Sequence, residues 1–598
     1  MTCTKPHPPP RVHGEGAALP GRRRGVGIAA LLLVVATLTR GANPGDTAVA
    51  LSVPVFRVAE WEYRAAARYD NPFREVDLTA TVTHLETGRT SVIDAYWAGG
   101  STWRFRFSGA ATGTYAFVTR AVPADPALDG QAGRIELTAA ERGNPLYARG
   151  PLRRSPRGNY LEHADGTPFF WLADSWWHGM TERLDFPEGF TRLAEDRRAK
   201  GFNVIQFAVG FPCDIPPFDP RGRNAAGDPW DREFESIRPA YFDLVDERIE
   251  ALLERGLVPN LVGMWGYYIK FMGVDNAILH WDYLLARYGA FPIVYTLSGE
   301  TTLAYYPDLE GEWDRYRHQF REQWSEVAAH IQAHDPYDRL LTTHPGPGLW
   351  DGKPPIYAME HLDFVMLQSG HKGFPTVGAS TAYIRDYRAR FPDKPVLHGE
   401  VSFEGMAGSS WQDVQRLLFW SNVLLGTPGY SYGAEGIWQF NTDDEPFGAS
   451  PTGHTWGNVP WSVAMDYEGS AQLGTSAEWL RGLRWWELEP AEHRVNWHAT
   501  PETVYDPYAA EMGEDVLVYF TKAGIGFARN KLRVLGLTPG ARYRYVFFDP
   551  ILGREYPGVT FDAGADGTWG VPLGPIMQDW VVWVSPAPPT PGPPDAGG

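Results

Sequence analysis

Cysteine is almost absent from this chain, since its 598 residues include only two. Cys3 lies in an N-terminal segment that we expect to be removed, which leaves Cys213 as a single thiol. No intramolecular disulfide could then form in the mature protein. Stability must come from packed cores, and 598 residues with 43% hydrophobic content are enough for about three of them.

Positive charge is also scarce. The formal net charge is −18, and residues 1–50 hold six Arg or Lys against two acids, so the remainder carries −22. No basic stripe occurs outside that segment. Because nucleic acids and anionic membranes attract basic surfaces, we expect neither as a partner.

The chain has no apolar run of comfortable membrane-spanning length. A basic cluster, Arg22 to Arg24, precedes an apolar run from Gly25 to Leu38, and residues 48–50 (Ala-Val-Ala) resemble a cleavage site. We interpret residues 1–50 as a signal peptide of the general or twin-arginine type, which predicts a secreted protein with no stable membrane insertion after its removal. An uncleaved membrane anchor is the alternative.

Several catalytic motifs are missing as well. The sequence has no His-Glu-x-x-His motif, no cysteine pair and no glycine-rich phosphate loop. We therefore predict that neither a metal nor a cofactor takes part in catalysis.

Both ends of the chain alternate apolar and polar residues with a period of two, which is typical of half-buried strands. The middle alternates strand and helix patterns, which predicts βα units and a parallel sheet. We predict an α/β fold, a (β/α)8 TIM barrel flanked by two small all-β sandwich domains. The predicted boundaries are 51–142 for an immunoglobulin-like sandwich, 143–489 for the barrel, 490–585 for the second sandwich and 586–598 for a Pro/Gly-rich tail.

Eight apolar runs are the predicted barrel strands: 169–172, 202–207, 258–264, 291–300, 340–343, 364–367, 395–397 and 429–432. The predicted helices between and after them are 187–200, 241–255, 276–288, 313–334, 381–391, 411–425 and 477–483. The Pro- and Asp-rich segment 211–239 is too long for a plain connector, so we predict that it is an active-site loop.

Two of these strands end on a glutamate, Glu300 after the fourth and Glu400 after the seventh. A parallel barrel presents its reactive groups at the C-terminal ends of its strands. A retaining glycosidase needs one carboxylate as nucleophile and a second carboxyl as acid and then base. We predict Glu400 as nucleophile and Glu300 as acid/base, with Glu404 as a rival nucleophile.

Other polar and aromatic residues at the predicted strand ends are candidates for contact with a sugar. The predicted substrate-binding residues are Asp174, Trp176, Trp177, His178, Gln206, Trp265, Tyr267, His344, Gln368, His371, Glu404 and Trp438. Each aromatic residue could instead fill a core, and each carboxylate could instead form a salt bridge.

Three motifs resemble the apiosidase-like glycoside hydrolase family: residues 169–177 (Phe-Phe-Trp-Leu-Ala-Asp-Ser-Trp-Trp), 197–206 and 399–405 (Gly-Glu-Val-Ser-Phe-Glu-Gly). The resemblance implies a (β/α)8 enzyme related to the retaining clan that carries its acids on strands four and seven. The N-terminal part, through residues 60–62 and 69–73, resembles the immunoglobulin-like domain that precedes such barrels. The C-terminal part resembles a β-sandwich labelled as collagen-binding.

The fourth strand departs from the family pattern. It ends in Ser298-Gly299-Glu300, whereas the family tends to have Gly-Asp there and the wider clan has Asn before its glutamate. A secreted glycoside hydrolase acting on a polysaccharide or oligosaccharide is the main hypothesis. The alternatives are a non-catalytic carbohydrate-binding or adhesion protein and a transglycosylase that uses the same residues.

Overall fold

The computed structural model describes residues 49–303, 313–346, 353–526 and 532–587. Most of the predicted signal peptide, including Cys3, and most of the predicted tail lie outside these ranges. Within them, no helix combines the length and apolarity that a membrane crossing requires.

The N-terminal part is built of two sheets over one core. Its strands are Val49–Pro54, Ala59–Arg64, Asp77–His84, Thr90–Asp94, Tyr96–Trp97, Thr102–Phe107, Gly113–Val122 and Ala132–Thr138. Five of them form one sheet and three form the other. Trp61 stacks between Phe105 and Phe117, with ring centroids 5.2 and 4.5 Å away. The period-two alternation of the sequence therefore corresponds to real strands.

The first of these strands begins at Val49, which is buried and paired with Gly133. The predicted signal boundary after Ala50 would remove its first two residues. A boundary at or before Ala48 keeps both of these residues.

A small antiparallel sheet, Leu152–Arg154, Leu161–His163 and Pro168–Phe169, leads into the central part. The eight central strands are β1 (Trp171–Ser175), β2 (Val204–Ala208), β3 (Val258–Val262), β4 (Val294–Thr296), β5 (Leu341–Thr342), β6 (Val365–Gln368), β7 (Val396–Glu400) and β8 (Gly429–Tyr432). All pairs among them are parallel. Six follow one another in the order β5-β4-β3-β2-β1-β8, and β6 pairs with β7, which makes a curled parallel sheet.

Long helices follow the strands: α1 (Glu188–Ala199), α2 (Pro239–Glu254), α3 (Ile269–Tyr288), α4 (Trp313–His334), α5 (Phe374–Arg390), α6 (Gln412–Leu424) and α7 (Glu468–Arg481). Short helices occupy Pro72–Glu75, Pro145–Arg149, Trp461–Ala464 and Lys522–Gly526. The order of strands and helices agrees with the prediction.

Three predicted helix boundaries were wrong. The helix α5 begins at Phe374 rather than 381, because Pro375 occupies its first turn, where a proline costs no hydrogen bond. The helix α3 begins seven residues early, at Ile269, and continues past a break at Gly273, where φ is 79°. The last helix, α7, spans Glu468–Arg481 instead of 477–483.

The C-terminal part is again all β. Its strands are Glu489–Pro490, Tyr508–Met512, Asp515–Phe520, Arg533–Val534, Arg542–Asp549, Arg554–Pro557, Phe561–Asp562, Trp569–Gly570 and Trp580–Pro586. Seven belong to one antiparallel sheet, and the pair 533–534 and 569–570 forms a second. One face of the larger sheet packs on the central helices, since Tyr519 and Phe548 share a core with Trp420 of α6.

Candidate active site

A cavity of about 170 Å³ opens where the central strands end. Its walls combine three carboxylates with a majority of apolar side chains. The lining residues are Trp177, Cys213, Asp214, Trp265, Glu300, Leu303, Gln368, His371, Glu400, Phe403, Met406, Trp438 and Trp456. Seven of the predicted site residues are in this set, including both predicted catalytic glutamates.

The carboxylate of Glu400, the last residue of β7, accepts hydrogen bonds from three side chains. Trp177 Nε1 donates to Oε2 at 3.1 Å, and Gln368 and His371 each donate to Oε1 at 2.7 Å. A fourth donor, His344 Nε2, lies 3.5 Å from Oε2. The carboxylate is thus held in one orientation by donors alone, which favours its ionised form.

The carboxylate of Glu300 has two donors. Trp265 Nε1 donates to Oε2 at 3.0 Å, and Gln368 Nε2 donates to Oε1 at 3.1 Å. The backbone of Glu300 is left-handed, with φ of 43°, a conformation that costs a non-glycine residue roughly 1 kcal/mol or more. These contacts hold the residue in that conformation, and strain of this kind is typical of functional sites.

One amide group joins the two glutamates. Gln368 Nε2 donates to Oε1 of Glu300 and to Oε1 of Glu400. Since both oxygens bond to one nitrogen, at 3.1 and 2.7 Å, their separation has an upper limit of about 5.8 Å. The two hydrogens of a planar amide diverge by ~120°, which brings the estimate for these oxygens to about 5 Å.

Backbone groups determine which nitrogen of each histidine carries its proton. The N–H of Glu300 donates to His344 Nδ1, and the N–H of Phe403 donates to His371 Nδ1, both at 3.3 Å. A ring nitrogen that accepts a hydrogen bond carries no proton, so the proton of each neutral ring is on Nε2. Both Nε2 atoms face Glu400, which makes the two histidines donors to it.

The surroundings of the two carboxyls separate their pKa values. Burial alone would raise the pKa of Glu400, but the hydrogen bonds from His344 and His371 outweigh it and lower that pKa to about 2. Burial raises the pKa of Glu300, and the negative charge of Glu400 raises it further. The site therefore favours an ionised Glu400 beside a protonated Glu300, the division of labour expected of a nucleophile and an acid.

Two glycines allow this arrangement by letting large side chains approach the backbone. A Cβ added to Gly299 would lie 2.2 Å from the ring of Trp265, the indole that bonds to Glu300. A Cβ added to Gly399 would lie 2.2 Å from Met366 Sδ and 3.0 Å from the ring of His344. The glycine that departs from the clan pattern on strand four is thus the residue against which Trp265 packs.

Asp174 and Trp176, predicted to bind substrate, do not reach the cavity. Asp174 is fully buried and accepts hydrogen bonds from Arg197 Nε at 2.6 Å and from Trp176 Nε1 at 2.8 Å. The prediction is corrected for both residues. Asp174 is paired with the guanidinium of α1, and Trp176 fills the core beside Phe190.

His178 and Tyr267 hold the loop 211–239 rather than the cavity itself. His178 Nε2 donates to the carbonyl of Cys213 at 3.0 Å, and Tyr267 donates its hydroxyl to the carbonyl of Ile215 at 2.6 Å. Burial lowers the pKa of His178 to about 3, so its ring is neutral at ordinary pH. Both support the loop that brings Cys213 and Asp214 to the cavity.

Gln206 and Glu404 also lie behind the cavity wall. Gln206 donates to the carbonyl of Gly399 at 2.8 Å and so steadies the residue before Glu400. Glu404 accepts the hydroxyl of Tyr432 at 2.6 Å and the N–H of Gly469 at 2.9 Å. Its carboxylate is directed at β8 and α7, so the structure does not bring the rival nucleophile to the site.

The lining also includes residues that were not predicted, namely Cys213, Asp214, Leu303, Phe403, Met406 and Trp456. Cys213 and Asp214 come from the loop 211–239, whose unusual length indicated an active-site role without showing which residues turn inward. Asp214 turns with φ of 60°. Trp456 comes from the long loop after β8, which also carries Trp438.

Among the described residues, no three His, Cys, Asp or Glu side chains come together as ligands for a metal ion. The predicted absence of a catalytic metal therefore stays a prediction, as does the absence of a cofactor.

Comparison with known proteins gives both fold and family. The model of a domain of unknown function, DUF5060, matches residues 52–122, and no curated protein matches the chain. A family 5 glycoside hydrolase from Bacteroides vulgatus has a TM-score of 0.60 at 22% identity, over 74% of this chain and 94% of that one. Another solved protein, described simply as a glycoside hydrolase, has a TM-score of 0.59 at 21% identity, over 75% and 99%.

A third solved structure, a Bacteroides vulgatus protein provisionally described as a glycoside hydrolase, has a TM-score of 0.65 at 16% identity, over 90% of this chain and 100% of that one. Identities this low show a shared fold. The family model "Apiosidase-like, catalytic domain" matches residues 155–487, more than half of the chain and nearly all of its central part. The chain therefore belongs to the apiosidase-like family, whose fold is that of the glycoside hydrolases.

Proposed function

We propose that this chain is a retaining O-glycoside hydrolase of polysaccharides or oligosaccharides, with Glu400 as nucleophile and Glu300 as acid/base. The observation that carries the proposal is the bond from one Gln368 nitrogen to both carboxylates. Retaining enzymes hold their carboxyls about 5–5.5 Å apart, and inverting enzymes need roughly 6.5–9.5 Å to admit a water molecule. The limit of about 5.8 Å on the Oε1 atoms supports the first arrangement.

In the first half of the reaction, an oxygen of ionised Glu400 attacks the anomeric carbon. The bond from that carbon to the leaving oxygen breaks, and protonated Glu300 gives its proton to that oxygen. The products are a free alcohol, a glycosyl ester on Glu400 and ionised Glu300.

In the second half, Glu300 takes a proton from water while the water oxygen attacks the same carbon. The ester bond breaks, Glu400 leaves as a carboxylate, and the original protonation states return. Each step inverts the anomeric carbon, so the product keeps the configuration of the substrate. The same steps with a sugar hydroxyl in place of water describe transglycosylation.

The proton positions in this mechanism agree with the two pKa directions. Glu400, with a pKa of about 2, is ionised at any ordinary pH. Once its charge is consumed in the ester, Glu300 loses the main neighbouring charge that raises its pKa and can more readily be deprotonated. A lowered pKa after glycosylation is what the change from acid to base requires.

Variants at the two glutamates test the assignment. Glu400→Ala should abolish turnover, and azide should restore part of it by replacing the missing nucleophile. Glu300→Ala should slow substrates with poor leaving groups far more than activated aryl glycosides, which need little protonation.

A matched control is Glu404→Gln, which changes a buried carboxylate four residues away. Its amide can still accept the N–H of Gly469 and donate to the hydroxyl of Tyr432, so near-normal activity is expected. Near-normal rates for Glu400→Ala, or loss of activity only in Glu404→Gln, would overturn the assignment.

We also infer that the curled sheet closes into a (β/α)8 barrel. Two contacts support closure at the gaps between the hydrogen-bonded strand groups. Between β5 and β6, the N–H of Asp363, just before β6, donates to the carbonyl of Leu341 in β5 at 2.8 Å. Between β7 and β8, the N–H of Glu404, after β7, donates to the carbonyl of Gly433, after β8, also at 2.8 Å. We propose that all-β sandwich domains flank this barrel.

Export is the last part of the proposal. The basic cluster at Arg22–Arg24 and the apolar run after it support a signal peptide, and the strand that starts at Val49 favours cleavage no later than Ala48. N-terminal sequencing of the protein recovered from the culture medium tests this. A mature chain that starts beyond Val49, or retention of the whole chain in the membrane, would contradict it.

A further inference from the structure

A second and larger cavity, about 560 Å³, lies between the central part and the C-terminal sheet. We call it the junction groove. On one side it is lined by Phe374 at the start of α5 and by Asp413 and Arg416 of α6, and on the other by Tyr505, Lys522 and Gln578 from the C-terminal part. It shares no lining residue with the active-site cavity.

The junction groove nevertheless lies beside that cavity. Two chain segments form the ridge between them. The first carries His371 on the cavity side and Phe374 on the groove side, and the second carries Met406 on the cavity side and Asp413 on the groove side. Three residues span at most about 10 Å, so the Cα atom of Phe374 lies within about that distance of the Cα atom of His371, whose ring bonds to Glu400.

The ridge is tightly packed, which fixes the spacing of the two sites. The N–H of Gly373 donates to Ser402 Oγ at 2.9 Å. A Cβ on Gly373 would lie 2.2 Å from the carbonyl oxygen of Ser409. The two segments thus touch directly along the rim.

The side chains of the groove combine flat apolar rings with polar groups. Tyr505 is 39% exposed, and its ring centroid lies 5.5 Å from that of Phe374. Burial raises the pKa of Tyr505, and the nearby charge of Asp413 adds to this, so the hydroxyl stays protonated and available as a donor. Aromatic faces that end in a polar group suit sugars, which present C–H faces and hydroxyl edges.

The charges of the groove balance, which favours a neutral ligand. Arg416 is buried and donates from Nε and Nη2 to Asp579 Oδ2, at 3.1 and 2.9 Å, and from Nη1 to Gln472. Those bonds use three of the five N–H groups of a guanidinium. Lys522 and Asp413 are both exposed and of opposite sign.

We propose that the junction groove is a carbohydrate-binding site that holds a neutral stretch of the polysaccharide whose end or branch lies in the active-site cavity. The proposal rests on the proposed function for its ligand class. It assigns the C-terminal part a role in binding, because Tyr505 and Lys522 complete a site that the central part alone would leave open on one side.

The test measures binding and catalysis separately on the full chain. Tyr505→Ala removes the exposed ring, and Tyr357→Ala is the matched control, since Tyr357 is 38% exposed and bonds to His318 on another part of the surface. Retardation of each variant in native gels containing neutral plant polysaccharides (β-mannan, arabinoxylan and galactan) reports binding. Rates on aryl glycosides, which are too short to reach the groove, report the catalytic site.

We expect Tyr505→Ala to bind the retained polysaccharide roughly 5- to 10-fold more weakly, a typical effect for loss of a stacked ring, with aryl glycoside rates unchanged. Tyr357→Ala should bind as the unaltered chain does. Equal retardation of Tyr505→Ala and the unaltered chain would overturn the proposal, and so would the absence of retardation on every gel.

The outcomes separate this proposal from the proposed function. If the chain hydrolyses no glycoside but its retardation depends on Tyr505, the groove binds carbohydrate and the catalytic proposal fails. If hydrolysis is confirmed and Tyr505→Ala changes neither retardation nor polysaccharide KM, the groove proposal fails alone.

Discussion

At the scale of single residues, the side chain that most determines the site is Gln368. Among the described residues, its amide is the one donor shared by the carboxylates of Glu300 and Glu400. These two hydrogen bonds hold the carboxylates at a spacing that the backbone positions of the two glutamates do not determine by themselves. Its bond to Glu300 lowers the pKa of that carboxyl and opposes the effect of burial. Gln368 is therefore a positioning residue for both.

Gln368→Met keeps the length of the side chain and removes its donors. The pKa of Glu300 should rise, so the alkaline limb of the pH profile of kcat/KM should move to higher pH, because activity requires protonated Glu300. The maximal rate should fall roughly 100-fold, as expected when reacting groups lose their alignment. An alkaline limb that moves to lower pH, or a normal rate, would contradict this role.

Gly299→Ala tests the close approach of Trp265. A Cβ there would lie 2.2 Å from the indole ring, so the ring and its bond to Glu300 should be displaced. We expect a large loss of activity and a destabilisation of about 1–3 kcal/mol, the usual cost of overpacking. Gly570→Ala is the control, since its Cβ would meet no atom within 4 Å. Equal activity of the two variants, measured with chemical denaturation of each, would refute the argument.

At the scale of elements, Asp174 shows what strand patterns cannot reveal. It lies near the C-terminal end of a buried strand, as Glu400 does, and Glu300 follows β4, so the same rule predicted a site residue. Instead, the guanidinium of Arg197, on the following helix α1, forms an ion pair with the Asp174 carboxylate, and both side chains are fully buried. The sequence places a carboxylate at a strand end, but only the packing of α1 decides whether a cation meets it.

Arg197→Met should therefore destabilise the central part by about 3–5 kcal/mol, because it leaves the Asp174 carboxylate buried without its cation. Arg390→Met, which breaks the exposed pair with Asp386, should cost about 0–1 kcal/mol. The midpoints of urea unfolding measure both. Similar costs for the two variants would mean that the Asp174–Arg197 pair is not the strong contact described above.

Much of the fold, and the place of Glu300 and Glu400 in one cavity, could be predicted from the sequence for a physical reason. Each central strand is a short apolar run, and the residue after it must lie at the C-terminal edge of a parallel sheet. Neighbouring residues point to opposite sides of the chain, so Trp177 reaches the cavity while Trp176 faces Phe190. Loop residues such as Asp214 could not be predicted, because their direction depends on backbone turns that no periodicity encodes.

At the scale of the whole molecule, a buried ion cluster joins the N-terminal sheets to the central part. Arg106 pairs with Glu60 at 2.7 Å and with Asp246 at 2.6 Å, and Arg287 pairs with Asp246 at 2.8 Å. Burial would raise the pKa of Asp246, but Arg106 and Arg287 lower it to about 2. Asp246 therefore stays ionised over most of the pH range, so the ion cluster that holds the N-terminal part to the central part stays intact over that range.

This cluster predicts how stability depends on pH. A carboxyl whose pKa is lower in the folded protein stabilises it above the unfolded pKa of about 4, and this contribution disappears as the pH falls towards 2. Asp246→Asn should therefore cost about 3 kcal/mol at neutral pH and progressively less between pH 4 and 2. Thermal unfolding at several pH values measures this. A difference that grows as the pH falls would contradict it.

The C-terminal part is joined to the centre by aromatic packing. Trp479 of α7 stacks on Phe548 at 4.4 Å, and Arg416 of α6 pairs with Asp579 at 2.9 Å. Trp485, which lies just before the first C-terminal strand, packs against Tyr160 and Phe170 of the central part. Because the sheet covers apolar faces of two central helices, we expect the centre and the C-terminal part to form one unit.

The spacing of Glu300 and Glu400 is the central claim, and the configuration of the first product tests it most directly. With an aryl glycoside that the chain hydrolyses, proton NMR during the first minutes distinguishes the two anomers before they interconvert in water. A carboxyl spacing near 5 Å predicts that the first sugar released has the anomeric configuration of the substrate. Release of the opposite anomer would show that water attacks directly and would contradict the role of Glu400 as nucleophile.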